Sequence, residues 1–215
     1  MFLSRIFTLY PEYFPGYLNK GLFGKAMNEK IWSLETVNIR DYTFDKHKTV
    51  DDTPYGGGSG MIIKADVLAK SLDENIKEKE KIIYLSPKGK LFDHKYAKEL
   101  STEKTLNLIC GHFEGIDERI IQNRNIEEVS IGDFVLSGGE VATFVVLDAI
   151  LRFIPGVLGN ENSTQDESFE NGLLEYPQYT KPQNWEDKSV PDVLLSGDHA
   201  KIKDWRLSQS EAITR

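Results

Sequence analysis

The 215-residue sequence predicts an α/β protein with a mostly parallel sheet and helices on both faces. Two observations support this class. Short apolar segments typical of buried strands alternate with longer segments whose apolar residues recur at helical spacing. Three of the strand-like segments also end in turn-forming residues, which is the usual arrangement at the carboxyl edge of a parallel sheet.

The first half of this alternation lies before residue 77. We predict a buried strand over residues 5–9, then a helix marked by the spacing of Leu18, Leu22, Phe23, Ala26 and Met27. A second strand is predicted around residues 32–39, and an amphipathic helix over residues 64–76.

The second half repeats the same order. A strand over residues 81–86 precedes a helix that ends at Leu100, for which Asp93 is the predicted N-cap. A strand over 105–110, a helix over 116–122, a strand over 126–131 and a long apolar helix over 141–154 complete the predicted fold.

Composition limits the classes of function. The net charge of −8 argues against nucleic-acid binding through a broadly basic face, although a local basic patch is compatible with it. The single cysteine, Cys110, excludes an internal disulfide framework, and the four histidines lack metal-ligand spacing. No apolar run approaches the roughly 20 residues of a membrane span, and no signal-peptide cleavage site is present. We therefore expect a cytoplasmic protein with no membrane association.

The segment from residue 50 to residue 61 contains four glycines among its residues 56–60. Such a composition excludes a helix or strand interior. Two interpretations stay open, a flexible linker and a backbone surface for a flat or anionic group. Asp51 and Asp52 argue against a phosphate at this position.

The candidate ligand site lies at the predicted strand ends. Ser86-Pro87, Cys110-Gly111 and Gly132 follow three successive strands, so they are expected to meet at one edge of the sheet and form one pocket. The stretch Ser130–Glu140 passes from strand through glycines into a helix, whose free N–H groups can bind a ligand. Taken alone, this stretch is more often a tight turn without a ligand, because it carries no dinucleotide or phosphate-loop fingerprint.

The C-terminal part has a different character. Residues 156–169 are polar and without periodicity, which is typical of a linker or of a segment ordered by a ligand. Residues 176–191 are rich in proline and are predicted to be extended, and residues 199–213 form a helix. Lys201, Lys203, Arg206 and Arg215 make this end basic, which fits either a solvated helix face or a contact surface for RNA phosphates.

Seven blocks of the sequence are weak separately and highly specific together. They are residues 50–52 with 54–58, 84–87, 110–119, 130–140, 152–157, 172–177 and 194–199. In content and order they resemble the bacterial tRNA (guanine-37-N1)-methyltransferases, the TrmD family. The resemblance covers nearly the whole chain.

This resemblance implies a SPOUT fold with a C-terminal trefoil knot, a small mainly helical C-terminal domain, and a homodimer with the active site at the subunit interface. It divides the chain into a catalytic and donor-binding domain (1–160), a flexible linker (161–175) and a C-terminal tRNA-contacting domain (176–215). Family members usually continue beyond the position of Arg215.

The resemblance also implies S-adenosyl-L-methionine as the methyl donor and Mg2+ as a supporting cation, although the sequence has no dedicated metal-ligand cluster. Leu85, Val135 and Leu136 are expected to enclose the adenine, and Glu114 to face the positive charge of the donor. The donor-binding residues that the family pattern places on this chain are Tyr84, Leu85, Ser86, Pro87, Gly111, Phe113, Glu114, Gly115, Ser130, Ile131, Gly132, Asp133, Phe134, Val135, Leu136, Gly138 and Gly139.

The catalytic residues also come from the resemblance. In the family, a linker aspartate is the proposed base that removes the N1 proton of guanine, and an arginine corresponding to Arg152 stabilises charge at O6. Ungapped register from Arg152 places Glu167 at the position of the base, with Asp166 one residue earlier. We favour Glu167 and keep Asp166 as its rival. Arg152 also fits a second interpretation, a partner of the helix C-terminal dipole.

Two other functions stay open on the sequence. One is a non-catalytic module that binds RNA or a nucleotide, against which the combination of Arg152 with a linker carboxylate argues. The other is a methyltransferase of the same fold that acts on another RNA, such as ribosomal RNA. The blocks at residues 54–61 and 172–177 favour the tRNA enzyme.

Overall fold

The structure is a computed structural model of the chain, and it describes residues 1–77, 79–159, 168–169 and 172–215. Contacts between backbone positions divide the chain into two compact units, Met1–Gly159 and Asn160–Arg215. Among the described residues, no helix combines the length and the apolar composition that crossing a bilayer requires.

A five-stranded parallel sheet is the centre of the first unit. The strands of this unit are β1 (Phe2–Thr8), β2 (Trp32–Asn38), β3 (Asp51–Asp52), β4 (Ile62–Ile63), β5 (Lys81–Leu91), β6 (Thr105–Cys110) and β7 (Glu127–Ser130). The main sheet has the order β2-β1-β6-β5-β7 with every pair parallel, and β3 pairs antiparallel with β4. The predicted parallel sheet is confirmed.

Helices cover both faces of this sheet. They are α1 (Gly21–Asn28), α2 (Ala65–Asn75), α3 (His94–Leu100), α4 (Glu118–Asn123) and α5 (Gly139–Leu151). Short 3-10 turns occupy Pro11–Tyr13, Gly16–Asn19 and Ile39–Tyr42.

Two separate hydrophobic cores show which helix lies on which face. Ile6 of β1 belongs to the core that α1, α3 and α5 share, whereas its neighbour Phe7 belongs to the core of α2 and α4. Ile83 and Tyr84 of β5 divide in the same way. This division follows from the geometry of a strand, because successive side chains point to opposite faces of the sheet.

Several element boundaries differ from the sequence prediction. The helix predicted over 116–122 begins at Glu118, because the Asp117 side chain accepts a hydrogen bond from the Arg119 N–H and caps the helix there. The helix predicted over 141–154 begins two residues earlier, at Gly139, and ends at Leu151. The first strand is Phe2–Thr8 rather than 5–9.

The largest difference concerns β5, which we predicted to end at Ser86 and which continues to Leu91. Leu85 and Lys90 both pair with Val129, so the residues between them leave the ladder. Pro87 lies in this excursion, where its missing N–H costs no ladder hydrogen bond. The predicted strand end at Ser86 is therefore wrong: the ladder is interrupted there, and the strand resumes and continues to Leu91.

The second unit contains a two-stranded hairpin, β8 (Asn184–Trp185) with β9 (Lys188–Ser189), and the helices α6 (Asp192–Leu195) and α7 (His199–Thr214). The hairpin lies in the segment that we predicted to be extended. The Asp198 side chain accepts a hydrogen bond from the Lys201 N–H and caps α7, which confirms the predicted helix and extends it by one residue. The Leu174 N–H donates to Thr214 Oγ1 at the end of that helix, at 2.8 Å.

Candidate active site

A pocket lies where β6 and β7 give way to loops and where β5 leaves its ladder between Leu85 and Lys90. Because β6, β5 and β7 are adjacent in the sheet, these three segments lie close to one another. The pocket is lined by residues 84–88, 111–116, 118, 121, 128–132, 134–139 and 142. Every predicted donor-binding residue lines it except Asp133.

The loops after β6 and β7 are joined by backbone contacts. The Gly139 N–H, at the first position of α5, donates to the Gly111 carbonyl oxygen at 2.9 Å, and His112 forms an antiparallel bridge with Gly138. A Cβ atom on Gly139 would lie 2.6 Å from Cys110 Cα, and one on Gly138 would lie 2.3 Å from His112 Cε1. The two loops therefore approach this closely because Gly138 and Gly139 have no side chains.

The glycine-rich segment at 50–61 ends against the same pocket. The Glu114 N–H donates to the Met61 carbonyl oxygen at 2.9 Å, and the Ile63 N–H donates to the Gly115 carbonyl oxygen at 3.0 Å. Gly60 has a φ of +88° and lies so close to Glu114 that a Cβ atom would be 2.4 Å from its Oε1. These contacts attach the end of the glycine-rich segment to the loop that follows β6.

Exposed apolar side chains form one wall of the pocket. Phe134, Val135 and Leu136 follow β7, and Val135 is 85% exposed. Water-exposed apolar groups on a pocket loop are the surface that an apolar ring would cover.

Charged groups complete the lining. Three carboxylates, those of Glu114, Glu118 and Glu128, share the pocket with the ammonium group of Lys88. The excess of negative charge favours a ligand with positive charge.

Tyr84 forms part of the floor and stays neutral. The pKa of its hydroxyl is raised to about 12, chiefly by burial and then by the charge of Glu128, while a backbone hydrogen bond with Ile116 opposes the shift. Gly111 packs against this ring, since a Cβ atom there would lie 2.8 Å from the Tyr84 hydroxyl oxygen. The phenol therefore fills space and offers a hydroxyl at neutral pH without adding charge.

Sequence reasoning missed several residues of the site. His112 lines the pocket, and its Nε2 lies 2.8 Å from Oε2 of the buried Glu140. Lys88, Glu118 and Glu128 also line it. The contact between His112 and Glu140 could not be predicted from a local pattern, because 28 residues separate them. The only signal in the sequence was that both residues lie within the matched blocks.

The predicted catalytic residues are not brought to this pocket within the described chain. Arg152 is the C-cap of α5, does not line the pocket, and is half-buried with partners of its own. Helical rise puts it about 20 Å from Gly139, which begins the same helix at the pocket. Asp166 and Glu167 lie outside the described residues.

The resemblance implies Mg2+ as a supporting cation, and the sequence has no dedicated cluster of metal ligands. In the part of the chain that the structure describes, no group of three or more His, Cys, Asp or Glu side chains is arranged to hold a metal ion.

A parallel sheet flanked by helices, with a glycine-lined pocket at its carboxyl edge, defines an α/β protein with a candidate small-molecule site. The family is then shown by comparison with known proteins. The model of the family described as tRNA (Guanine-1)-methyltransferase TrmD matches residues 2–215. The chain belongs to the TrmD family.

Relatives of known name extend over all of the chain. It is 74% identical to the tRNA (guanine-N(1)-)-methyltransferase of Pelagibacter ubique over 215 residues, which is 100% of this chain and 94% of that protein. The proteins of the same name from Bartonella tribocorum and Brucella canis are 55% and 51% identical, each over 100% of this chain, and over 92% and 87% of their own lengths.

Proposed function

We propose that this protein transfers a methyl group from S-adenosyl-L-methionine to N1 of guanine 37, the base next to the anticodon, in tRNA. The observation that carries the proposal is the pocket formed by the loops after β6 and β7 and by the interruption of β5, in a chain that belongs to the TrmD family. The relatives that cover the whole chain are named tRNA (guanine-N(1)-)-methyltransferase.

The chemistry of the pocket suits this donor. S-adenosyl-L-methionine supplies a methyl group on a positively charged sulfonium, together with a flat adenine. Leu85, Val135 and Leu136 offer apolar surface for the adenine, and Phe134 lies beside them. Glu114, Glu118 and Glu128 supply the negative charge that a cationic donor requires.

The acceptor requires a base and a cation. Guanine N1 carries a proton at neutral pH, so a carboxylate must remove it, and a cation near O6 stabilises the charge that develops there. We assign the base to Glu167, with Asp166 as its rival, and the cation to Arg152. This assignment rests on the register of the family motifs.

The distance along α5 supports the proposal that two subunits build one active site. Arg152 lies about 20 Å from the helix start that borders the donor pocket of its own chain. An arginine at that distance acts on a methyl acceptor only if the pocket belongs to a second copy of the chain. We therefore propose a homodimer with the active site at the subunit interface.

The surface of α5 supports the same assembly. Val141 and Val145 are 59% and 47% exposed and lie four residues apart, so they form one apolar stripe on the helix. Tyr17 extends this surface, and its hydroxyl donates to Asp148 at 2.9 Å. An apolar stripe that begins at the donor pocket is suited to cover its counterpart on a second subunit.

The second unit offers contacts for tRNA. Lys203 and Arg206 are exposed on α7, and Arg206 lies 4.7 Å above the Tyr176 ring. Cations beside aromatic rings are suited to phosphates and unpaired bases. We propose this unit as the C-terminal tRNA-contacting domain, although the chain as a whole is acidic.

Family membership carries three finer expectations into this proposal. They are the trefoil knot of the SPOUT fold, activity in the cytoplasm, and support of activity by Mg2+. The described residues supply no cluster of metal ligands, so we derive no step from a metal ion.

Separate measurements of donor binding and methyl transfer test the assigned roles. We expect Arg152→Ala to lower the transfer rate by about 100-fold or more and to leave the donor affinity unchanged, because Arg152 stabilises charge only in the transition state. The matched pair Glu167→Gln and Asp166→Asn distinguishes the two carboxylates, since only loss of the base abolishes transfer. Transfer at the wild-type rate by Arg152→Ala contradicts its role, and an active Glu167→Gln with an inactive Asp166→Asn moves the base to Asp166.

A further inference from the structure

A buried carboxylate lies directly behind the donor pocket. Glu140, the second residue of α5, is only 4% exposed. Burying a carboxylate is costly unless hydrogen bonds compensate for the lost water. Glu140 has that compensation, since Thr8 Oγ1 donates to its Oε1 at 2.6 Å and His112 Nε2 lies 2.9 and 2.8 Å from its two oxygens.

The three partners come from three separate parts of the fold. Thr8 is the last residue of β1, His112 follows β6, and Glu140 is the second residue of α5, after the loop that follows β7. Thr8 is itself fixed, because its Oγ1 accepts a hydrogen bond from the Tyr10 N–H at 2.9 Å. The carboxylate therefore links the two pocket loops to the neighbouring strand β1.

The imidazole of His112 has little freedom to move. The Tyr10 ring meets it edge-on with the ring centroids 5.0 Å apart, and its side chain is 13% exposed. On another side it lies against Gly138, where a Cβ atom would be 2.3 Å from its Cε1. His112 and Gly138 both line the pocket, so a shift of the imidazole changes the distance between the two loops.

We infer that the His112–Glu140 pair is a positioning device that holds the loop after β6 and the loop before α5 at the spacing the donor requires. Neither residue is assigned contact with the methyl group or with guanine. The inference rests on the proposed function, because it names the donor pocket as the part that the pair positions. A preformed pocket binds its ligand more tightly because less ordering accompanies binding.

Two amide variants of His112 test this inference. In His112→Gln the amide nitrogen reaches about as far as Nε2 and can donate to Glu140, whereas in His112→Asn it stops short. We expect the Kd of S-adenosyl-L-methionine, measured by calorimetry, to stay within about threefold of wild type for Gln and to rise at least tenfold for Asn, as loss of a hydrogen bond to a buried charge predicts. In steady-state kinetics, the donor KM rises for Asn while the tRNA KM is unchanged.

Thermal unfolding of the same proteins checks that each variant is folded at the temperature of the titration, and the comparison of their donor affinities decides the outcome. Equal donor affinity in both variants overturns the inference, whether or not their midpoints fall, and so does an equal loss of affinity in both. The wild-type titration is performed first, because a wild-type protein that binds no S-adenosyl-L-methionine contradicts the proposed function itself. If the wild type binds S-adenosyl-L-methionine and His112→Asn binds it equally well, only the positioning role is contradicted.

Discussion

Gly139 is the residue at which the fold and the pocket depend most directly on one another. It begins α5, its N–H donates to the Gly111 carbonyl oxygen, and it lies against the backbone of Cys110. A backbone neighbour cannot rotate away as the end of a side chain can. Any side chain at this position must therefore push β6 and α5 apart.

We predict that Gly139→Ala lowers the free energy of unfolding by about 1–3 kcal/mol, the usual cost of overpacking, and weakens donor binding. Gly159→Ala is the matched control, because among the described residues no atom outside Gly159 and its chain neighbours lies within 4 Å of a Cβ atom built there, and its φ is not in the left-handed region. Urea unfolding and donor titration measure both effects. A Gly139→Ala protein with wild-type stability and donor affinity contradicts this account of the site.

Individual residues of the site differ in how far the sequence predicts them. The turn-forming residues at the strand ends, such as Pro87, Gly111 and Gly132, are predictable because the carboxyl edge of a parallel sheet brings successive loops together. His112 and Glu140 are not, because their contact depends on how closely Gly138 lets the two loops approach. Tertiary contacts of this kind leave no periodic pattern in the chain.

At the scale of elements, β5 shows why a predicted strand end can be wrong. The pattern predicts that the strand ends at Ser86, but the ladder is only interrupted there and β5 continues to Leu91. The strand then resumes at Lys90 because the same partner residue, Val129, is still available in β7. Whether a strand resumes depends on which residues of the neighbouring strand can still pair with it. The local sequence of β5 therefore cannot predict where the strand ends.

The helix α5 has two apolar faces with different roles. One face, which includes Val146, Leu147 and Ile150, is buried in the core against the sheet. The other carries the exposed stripe of Val141 and Val145. Because α5 is apolar on both sides, its sequence predicts a helix buried all round, which one subunit alone does not provide.

We predict that Val145→Glu shifts the protein from dimer to monomer, with a dimer Kd raised on the order of 100-fold, because the interface would bury an unpaired charge. Val145→Thr keeps the shape of the side chain and serves as the control. Size-exclusion chromatography with light scattering measures the mass, and circular dichroism checks that both variants fold. An unchanged dimer in Val145→Glu argues that the stripe lies outside the interface, and a monomeric wild type contradicts the homodimer.

At the scale of the whole molecule, the proposed active site contains residues of two chains. Gly139, at the start of α5, lines the pocket, whereas Arg152, the C-cap of the same helix, does not. The net charge of −8 also means that tRNA binding must depend on a local surface rather than on overall attraction.

Complementation between two inactive subunits tests the shared site. Glu114→Lys places a cation in the donor pocket, and Arg152→Ala removes the assigned catalytic arginine. We predict that each homodimer is inactive and that a heterodimer, purified through two different tags, shows about half of the wild-type rate, because one of its two symmetric sites is intact. If each chain instead holds a complete site, the heterodimer contains no intact site and is as inactive as its parents.

The proposed transfer of a methyl group to one base of tRNA is tested most directly with two tRNA transcripts. They differ only in carrying guanine or adenine at position 37, and the donor is S-adenosyl-L-methionine with a labelled methyl group. We predict that the label enters the guanine transcript alone and is recovered as 1-methylguanine. Equal labelling of both transcripts, or labelling of neither by a protein that binds the donor, contradicts the claim.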